Sequence, residues 1–156
     1  MIQYEIRPLK RKDWDMAMQL AWDTFLVYEA PEYAPEGVKN FHDFVKGDEL
    51  KNMFVLGEYR AWAAYDDDDT IVGILGIRRH WHVSLLFVEP ELHHQKIATR
   101  LLNQAFSEAM SEGVTQMTVN SSPYAVEFYH KIGFTDMDRE KTTDGIRYTP
   151  MSIDLF

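Results

Sequence analysis

Hydrophobic and polar positions change period several times along the chain, and each change marks an element. IQYEI alternates, which puts Ile2, Tyr4 and Ile6 on one face of a strand. Asp13 stands where a helix cap belongs, ahead of a helical pattern from about Trp14 to Tyr28. APEYAPEG breaks that pattern with two prolines and opens a second helix. Val38, Phe41, Phe44 and Val45 stripe this helix, and Gly47 ends it. Asp48 is placed to cap a short third helix through Met53. Tyr59–Tyr65, Thr70–Arg78 and Arg79–Val88 read as three strands.

A long helix follows His93–His94. Ile97, Leu101, Leu102, Ala105, Phe106, Ala109 and Met110 form its apolar stripe, and Gly113 is its expected stop. Thr115–Asn120 is a strand and Pro123–Lys131 a short helix, with Ser122 as its expected cap and Gly133 beyond it. The tail reads as a strand from Phe134, an Asp144–Gly145 turn and a strand through Ile153. Helices fall between strands in both halves. The expected class is therefore α/β (α+β), a sheet with helical layers, in one domain over 1–156. The pattern leaves the strand order open.

Composition narrows the class. A chain of 156 residues, 46% apolar and rich in aromatics, can build a packed core. No window approaches the ~18 apolar residues of a membrane span, so no membrane partner is expected. Met1 leads straight into IQYEI, so no leader is expected. The absence of cysteine excludes disulfides and thiolate zinc sites, and a reduced, cytoplasmic setting is the default. A net charge of −9 argues against nucleic acid as a partner and is compatible with a cationic acceptor. The run Asp66–Asp69 reads as a hairpin turn in water, because a calcium loop needs more widely spaced oxygens and a glycine pivot.

Two stretches carry chemistry. In VEPELHHQKIATRLL, a strand runs into a helix that has no Ser, Thr, Asp or Asn at its start. Unpaired N–H groups and the positive end of the helix dipole then converge on one point, which binds water or an anion. Lys96 and Arg100 add charge there. In NSSPYAVEFYHKIGF, Tyr129 lies on a short helix and is either half-buried packing or a proton donor.

These stretches resemble the two signatures of the GCN5-related N-acetyltransferase (GNAT) family. Val88-Glu-Pro-Glu-Leu-His93-His-Gln-Lys96-Ile-Ala98 is similar to the acyl-CoA motif V-x-P-x-x-[R/Q]-x-x-G-x-[G/A]. Ser122-Pro-Tyr-Ala125-Val-Glu-Phe128-Tyr129-His-Lys131-Ile-Gly133-Phe134 is similar to N-x-x-A-x-x-F-Y-x-K-x-G-F. His93 replaces the usual Arg or Gln, Lys96 the usual Gly, and Ser122 the common Asn. A lysine at 96 is expected to require helical φ/ψ with its side chain outward. A positive φ there would count against the cofactor reading.

The resemblance implies a mixed central sheet of about seven strands with helices on both faces. It implies acetyl-CoA as co-substrate and a small-molecule or peptide amine as acceptor, with a possible homodimer. Phe87 and Val88 would pair with the pantetheine amides through their backbone. The N–H groups of His93, His94, Gln95, Lys96, Ile97 and Ala98 would hold the pyrophosphate. Phe128 and Ser122 are further cofactor contacts, and Tyr129 is the expected acid. Strand alternation makes His82 the candidate base, with an ordinary pKa of ~6.5. Glu29, Tyr33 and Glu36 would border the acceptor. Two other readings stand beside this one. A non-catalytic acyl-CoA-binding module is prompted by His93 and Lys96. A metal hydrolase would use His80, His82, His93 and His94, but no Asp or Glu accompanies them in a ligand pattern, so no metal is expected.

Overall fold

The structure is a computed structural model that describes residues 2–156. The first strand is β1 (Glu5–Pro8), and the helices α1 (Trp14–Tyr28), α2 (Pro35–Lys46) and α3 (Asp48–Val55) follow it. An antiparallel meander comes next: β2 (Arg60–Tyr65), β3 (Ile71–Arg78) and β4 (His82–Val88). A 3-10 segment, Pro90–Gln95, leads to α4 (Ile97–Ser111), which is followed by β5 (Gln116–Ser121) and α5 (Val126–Ile132). The chain ends in β6 (Thr135–Asp136), β7 (Lys141–Thr143) and β8 (Ile146–Asp154). Seven strands lie in the order β1-β2-β3-β4-β5-β8-β6, and β7 pairs with β8 as a hairpin. Among the described residues only β4 and β5 run parallel, so the sheet is mixed, as the family resemblance implies.

The helices divide between the two faces. Trp14, Phe25, Val45 and Leu50 bury against Ile74, Leu85 and Phe87 on one face. Ile97, Leu101, Leu102 and Ala105 bury against Leu75, Val83, Met117 and Val119 on the other. Each Leu, Ile, Val, Phe or Met buried there contributes about 1.5–3 kcal/mol of transfer free energy. The meander is apolar on both faces because it lies between these two layers.

Several local expectations are corrected. Asp13 does not cap α1 with its side chain; its Oδ2 accepts a hydrogen bond from the Tyr65 hydroxyl at 3.0 Å. The tertiary partner wins because Tyr65 is buried and its hydroxyl needs an acceptor. Ser122 does not cap the α5 region with its side chain either. Its backbone carbonyl accepts from the Ala125 N–H at 3.1 Å and from Ser121 Oγ at 2.9 Å. Ile2 is exposed, while Tyr4 and Ile6 pack against the α4 side as the alternation predicts. In the acidic turn, Asp66 Oδ1 accepts from the Asp68 and Thr70 N–H groups, which closes the hairpin.

Candidate active site

The site begins with a failure of strand pairing. β4 and β5 pair only at His82–Thr118 and Val83–Val119. On its other side β4 carries a bulge: Gly76 faces Leu85 and Ile77 faces Val83, so Ser84 is the extra residue. A bulge bends its strand and strengthens the local twist. β5 meanwhile stays paired with β8 from Gln116 to Ser121. The two parallel strands therefore part just after Val83, and their facing edges keep unpaired backbone groups. Gly76 makes room for the bulge. A β-carbon there would overlap the Tyr59 hydroxyl, which bonds Ser84 Oγ at 2.6 Å.

The gap opens into a cleft of about 550 Å³. Glu29, Tyr33, His82, Ser84, Phe87, Ser122 and Tyr129 line it, with Arg78, Asn120 and Asp144. Glu29 and Tyr33 come from the end of α1 and the segment after it; Tyr129 comes from α5 across the sheet. Glu36 does not line the cleft. It sits in the exposed first turn of α2, because that helix turns its apolar stripe, not this position, toward α1 and the sheet.

Burial sets the protonation states. The Glu29 carboxyl is desolvated and its pKa is pushed up to about 7, even though the Tyr33 hydroxyl donates to Oε1 at 3.3 Å and opposes the rise. Tyr129 is buried, and desolvation, then the charge of Glu29, raises its pKa well above the ordinary phenol value. His82 moves the other way, down to about 4, through desolvation and then the nearby Arg78 charge. Its Nδ1 lies 2.8 Å from Thr118 Oγ1. His82 is thus uncharged at neutral pH and a much weaker base than its unperturbed value suggests.

The loop after β4 departs from expectation at one residue. Lys96 has φ 58° and ψ 27°, the left-handed conformation, and α4 starts directly after it. The chain therefore keeps the backbone turn that glycine normally makes here, at a cost of roughly 1–2 kcal/mol. Of the two outcomes the sequence leaves open at Lys96, the structure has the positive φ: helix geometry begins only at Ile97, and the turn has to be completed first. Among the described residues no side chain caps α4, which leaves its first N–H groups available, as the sequence implies. His93 Nε2 lies 2.9 Å from the Val88 carbonyl, and its ring stands 5.0 Å from Tyr28, which in turn lies 4.8 Å from Tyr124. Phe128 packs edge-on to Tyr129 in the α4-side core and does not line the cleft. Among the described residues no three His, Asp or Glu side chains stand close enough to hold a metal, and no helix is long and apolar enough to cross a membrane.

One charged contributor, Arg78, does not stand out in the sequence, and a second, Glu29, stands out there in another role. Arg78 ends β3 and reaches the cleft; the signal was the run Arg78-Arg79-His80 in an acidic chain. Glu29 was singled out only as an acceptor contact. The apolar run before it, and the Ala30-Pro31 after it, were the hint of burial.

The separated strand edges, the uncapped helix start and the left-handed turn at residue 96 are features an acyl-CoA would use. Comparison with known proteins agrees. Residues 29–155 match the family model of the acetyltransferase (GNAT) domain. The peptidyl-lysine N-acetyltransferase YjaB of Salmonella typhimurium is 30% identical over 109 residues, 66% of this chain and 72% of that protein. A GCN5-related N-acetyltransferase structure from Rhodopseudomonas palustris superposes with a TM-score of 0.82 at 19% identity, covering 96% of this chain and 94% of that one. The PaiA N-acetyltransferase of Thermoplasma acidophilum, solved with coenzyme A, gives 0.78 at 23% identity over 97% and 99%. A positive φ at Lys96 therefore does not count against the cofactor. The chain belongs to the GNAT acetyltransferase family, whose enzymes use acetyl-CoA as acetyl donor.

Proposed function

We propose that the protein transfers acetyl from acetyl-CoA to a primary amine of a small molecule or peptide by direct attack, with Glu29 as general base and Tyr129 as general acid. Acetyl-CoA, when bound, supplies an activated acetyl thioester. The unpaired edge of β4 through Phe87 and Val88 would hold its pantetheine arm, and the N–H groups from His93 to Ala98 its pyrophosphate. Binding at Val88 requires the His93 ring to leave the carbonyl it now faces.

Glu29 takes the proton from the incoming ammonium. A carboxyl with a pKa of about 7 is matched to that task near neutral pH, where it is partly ionised and still basic. Tyr33 donates to Glu29 Oε1 and holds it in place. Tyr129 stays protonated throughout the working range and donates its hydroxyl proton to the departing sulfur. A backbone N–H on the unpaired edge of β4 would stabilise charge growing on the thioester oxygen. His82 is a wall of the acceptor cleft in this scheme, not the base.

The observation that carries the reading is the meeting of Glu29 and Tyr129 in one cleft beside the gap between β4 and β5. Thiol release from acetyl-CoA across a panel of amines, amino acids, polyamines and peptides tests it. Acetylation of at least one class, slowed in Glu29→Gln and in Tyr129→Phe, is expected. Release that is independent of any amine, or unaffected by both substitutions, would remove these roles.

A further inference from the structure

The end of the β3–β4 hairpin is basic in a chain of net charge −9. Arg78, Arg79 and His80 follow one another there, and a second, smaller hollow of about 280 Å³ is lined by them with Arg60, Trp81 and the one acidic residue Glu58. Arg60 is already neutralised: it makes two hydrogen bonds to Glu112, at 2.6 and 3.1 Å, and its guanidinium lies 4.9 Å from the Trp81 ring. Arg7 and Arg147 are likewise held by carboxylates. Among the described residues Arg78 and Arg79 have no ion pair. Arg78 lines both this hollow and the acceptor cleft, so it connects them.

The turn that presents these cations is strained. His80 (φ 62°) and Trp81 (φ 56°) are consecutive left-handed residues, and neither is glycine. Each costs roughly 1–2 kcal/mol relative to an ordinary conformation. Such strain persists where surroundings over-determine it, and here the Trp81 carbonyl accepts from the Thr118 N–H at 3.2 Å while Arg60 covers the ring. The charge of Arg78 reaches inward: it helps hold His82 and Tyr59 below the values that burial alone would give them. Among the described residues Arg78 is the one lysine or arginine that lines the cleft, and Glu29, which would meet the amine in the reading above, lines it from the end of α1.

We infer that the acceptor carries an anionic group, a carboxylate or a phosphate, close to its amine, and that Arg78 recognises it. This rests on the reading above, that the acceptor enters the cleft beside Glu29. The acceptor then spans the cleft as a zwitterion, its ammonium at Glu29 and its anion at the Arg78 guanidinium, which offers planar paired donors. A polyamine would bring only positive charge to Arg78 and is disfavoured.

The test uses matched acceptors with acetyl-CoA: alanine against alaninamide, O-phosphoethanolamine against ethanolamine, and spermidine. Thiol release gives kcat/KM, and calorimetry in the presence of CoA gives binding. The anionic member of at least one pair is expected to be favoured roughly ten- to hundredfold, the range of a charge-assisted hydrogen bond. Arg78→Gln should remove that preference, mainly through KM, and Arg78→Lys should restore part of it. The alanine and phosphoethanolamine arms separate carboxylate from phosphate. Equal or better use of the neutral partners or spermidine, a preference that survives Arg78→Gln, or no binding of either anionic acceptor would overturn the inference. A melting shift with acetyl-CoA alone is read separately. Its absence would overturn the acetyltransferase reading itself.

Discussion

Glu29 and Tyr129 belong to helices on opposite faces of the sheet, yet the charge of one raises the pKa of the other. They meet because β4 and β5 part after Val83 and Val119, which opens the parallel pair in the sheet. A continuous ladder at that point would separate the two groups by the thickness of the sheet.

The pH dependence follows from Glu29. Its carboxyl must be ionised to act, so kcat/KM should rise as pH increases through about 7. Glu29→Gln should abolish that limb and lower kcat/KM roughly a hundredfold or more. His82→Asn should leave the limb in place. A base limb near pH 4, or one lost in His82→Asn, would return the role to His82.

The same shift makes a stability prediction. The native carboxyl keeps its proton to about pH 7, while the unfolded group loses it near 4.5. The native state therefore binds the proton more tightly. This contribution is fully present below about 4.5 and is lost as pH rises to about 7. Urea unfolding of the wild type should show a decline over that interval that is flatter in Glu29→Gln. Identical slopes would contradict the burial assigned to Glu29.

Tyr129→Phe removes a hydroxyl and keeps the ring packed against Phe128 and Phe134. The expected outcome is a kcat reduced roughly ten- to hundredfold, with the acetyl-CoA-induced melting shift preserved. An unchanged kcat would leave Tyr129 as packing alone.

Lys96→Gly should stabilise the protein by up to about 1 kcal/mol, because relief of the left-handed penalty exceeds glycine's extra unfolded entropy. Lys96→Ala keeps the penalty and serves as the comparison. Chemical denaturation decides between them: if both variants have the wild-type stability, the left-handed residue costs nothing.

Gly37 and Gly145 pin α2 to the β7–β8 turn. A β-carbon on Gly37 would overlap the Gly145 carbonyl, and one on Gly145 would stand 2.6 Å from the Gly37 nitrogen. The Ala34 N–H and the Asn40 amide donate to Gly145 and Asp144 across the same contact, at 3.2 Å each. Gly37→Ala should lower stability by about 1–3 kcal/mol and raise the acceptor KM more than it changes acetyl-CoA affinity, since Asp144 and Ile146 line the acceptor side. Equal effects on both ligands would place the contact outside the acceptor wall.

Elements whose cause is local were legible in the chain. The period of apolar residues located α1 at Trp14–Tyr28, and Gly113 and Gly133 end α4 and α5 with positive φ. The two signatures carried the family, because their residues are close in sequence and act through one loop and one short helix. What depends on distant neighbours was not legible. Asp13 looks like a cap until Tyr65, 52 residues away, reaches it. His82 looks like the better base until burial beside Arg78 lowers its pKa, while Glu29 gains from the same desolvation. The φ of Lys96 stays open in the sequence until the turn from β4 to α4 demands a left-handed residue. Sequence by itself determined most elements and the family, since the first follow from nearest-neighbour sterics and periodic burial and the second from two short local signatures. The tertiary structure alone decided the strand order, the gap and the protonation states of the cleft, because desolvation and charge act through space between groups that the chain brings together only on folding.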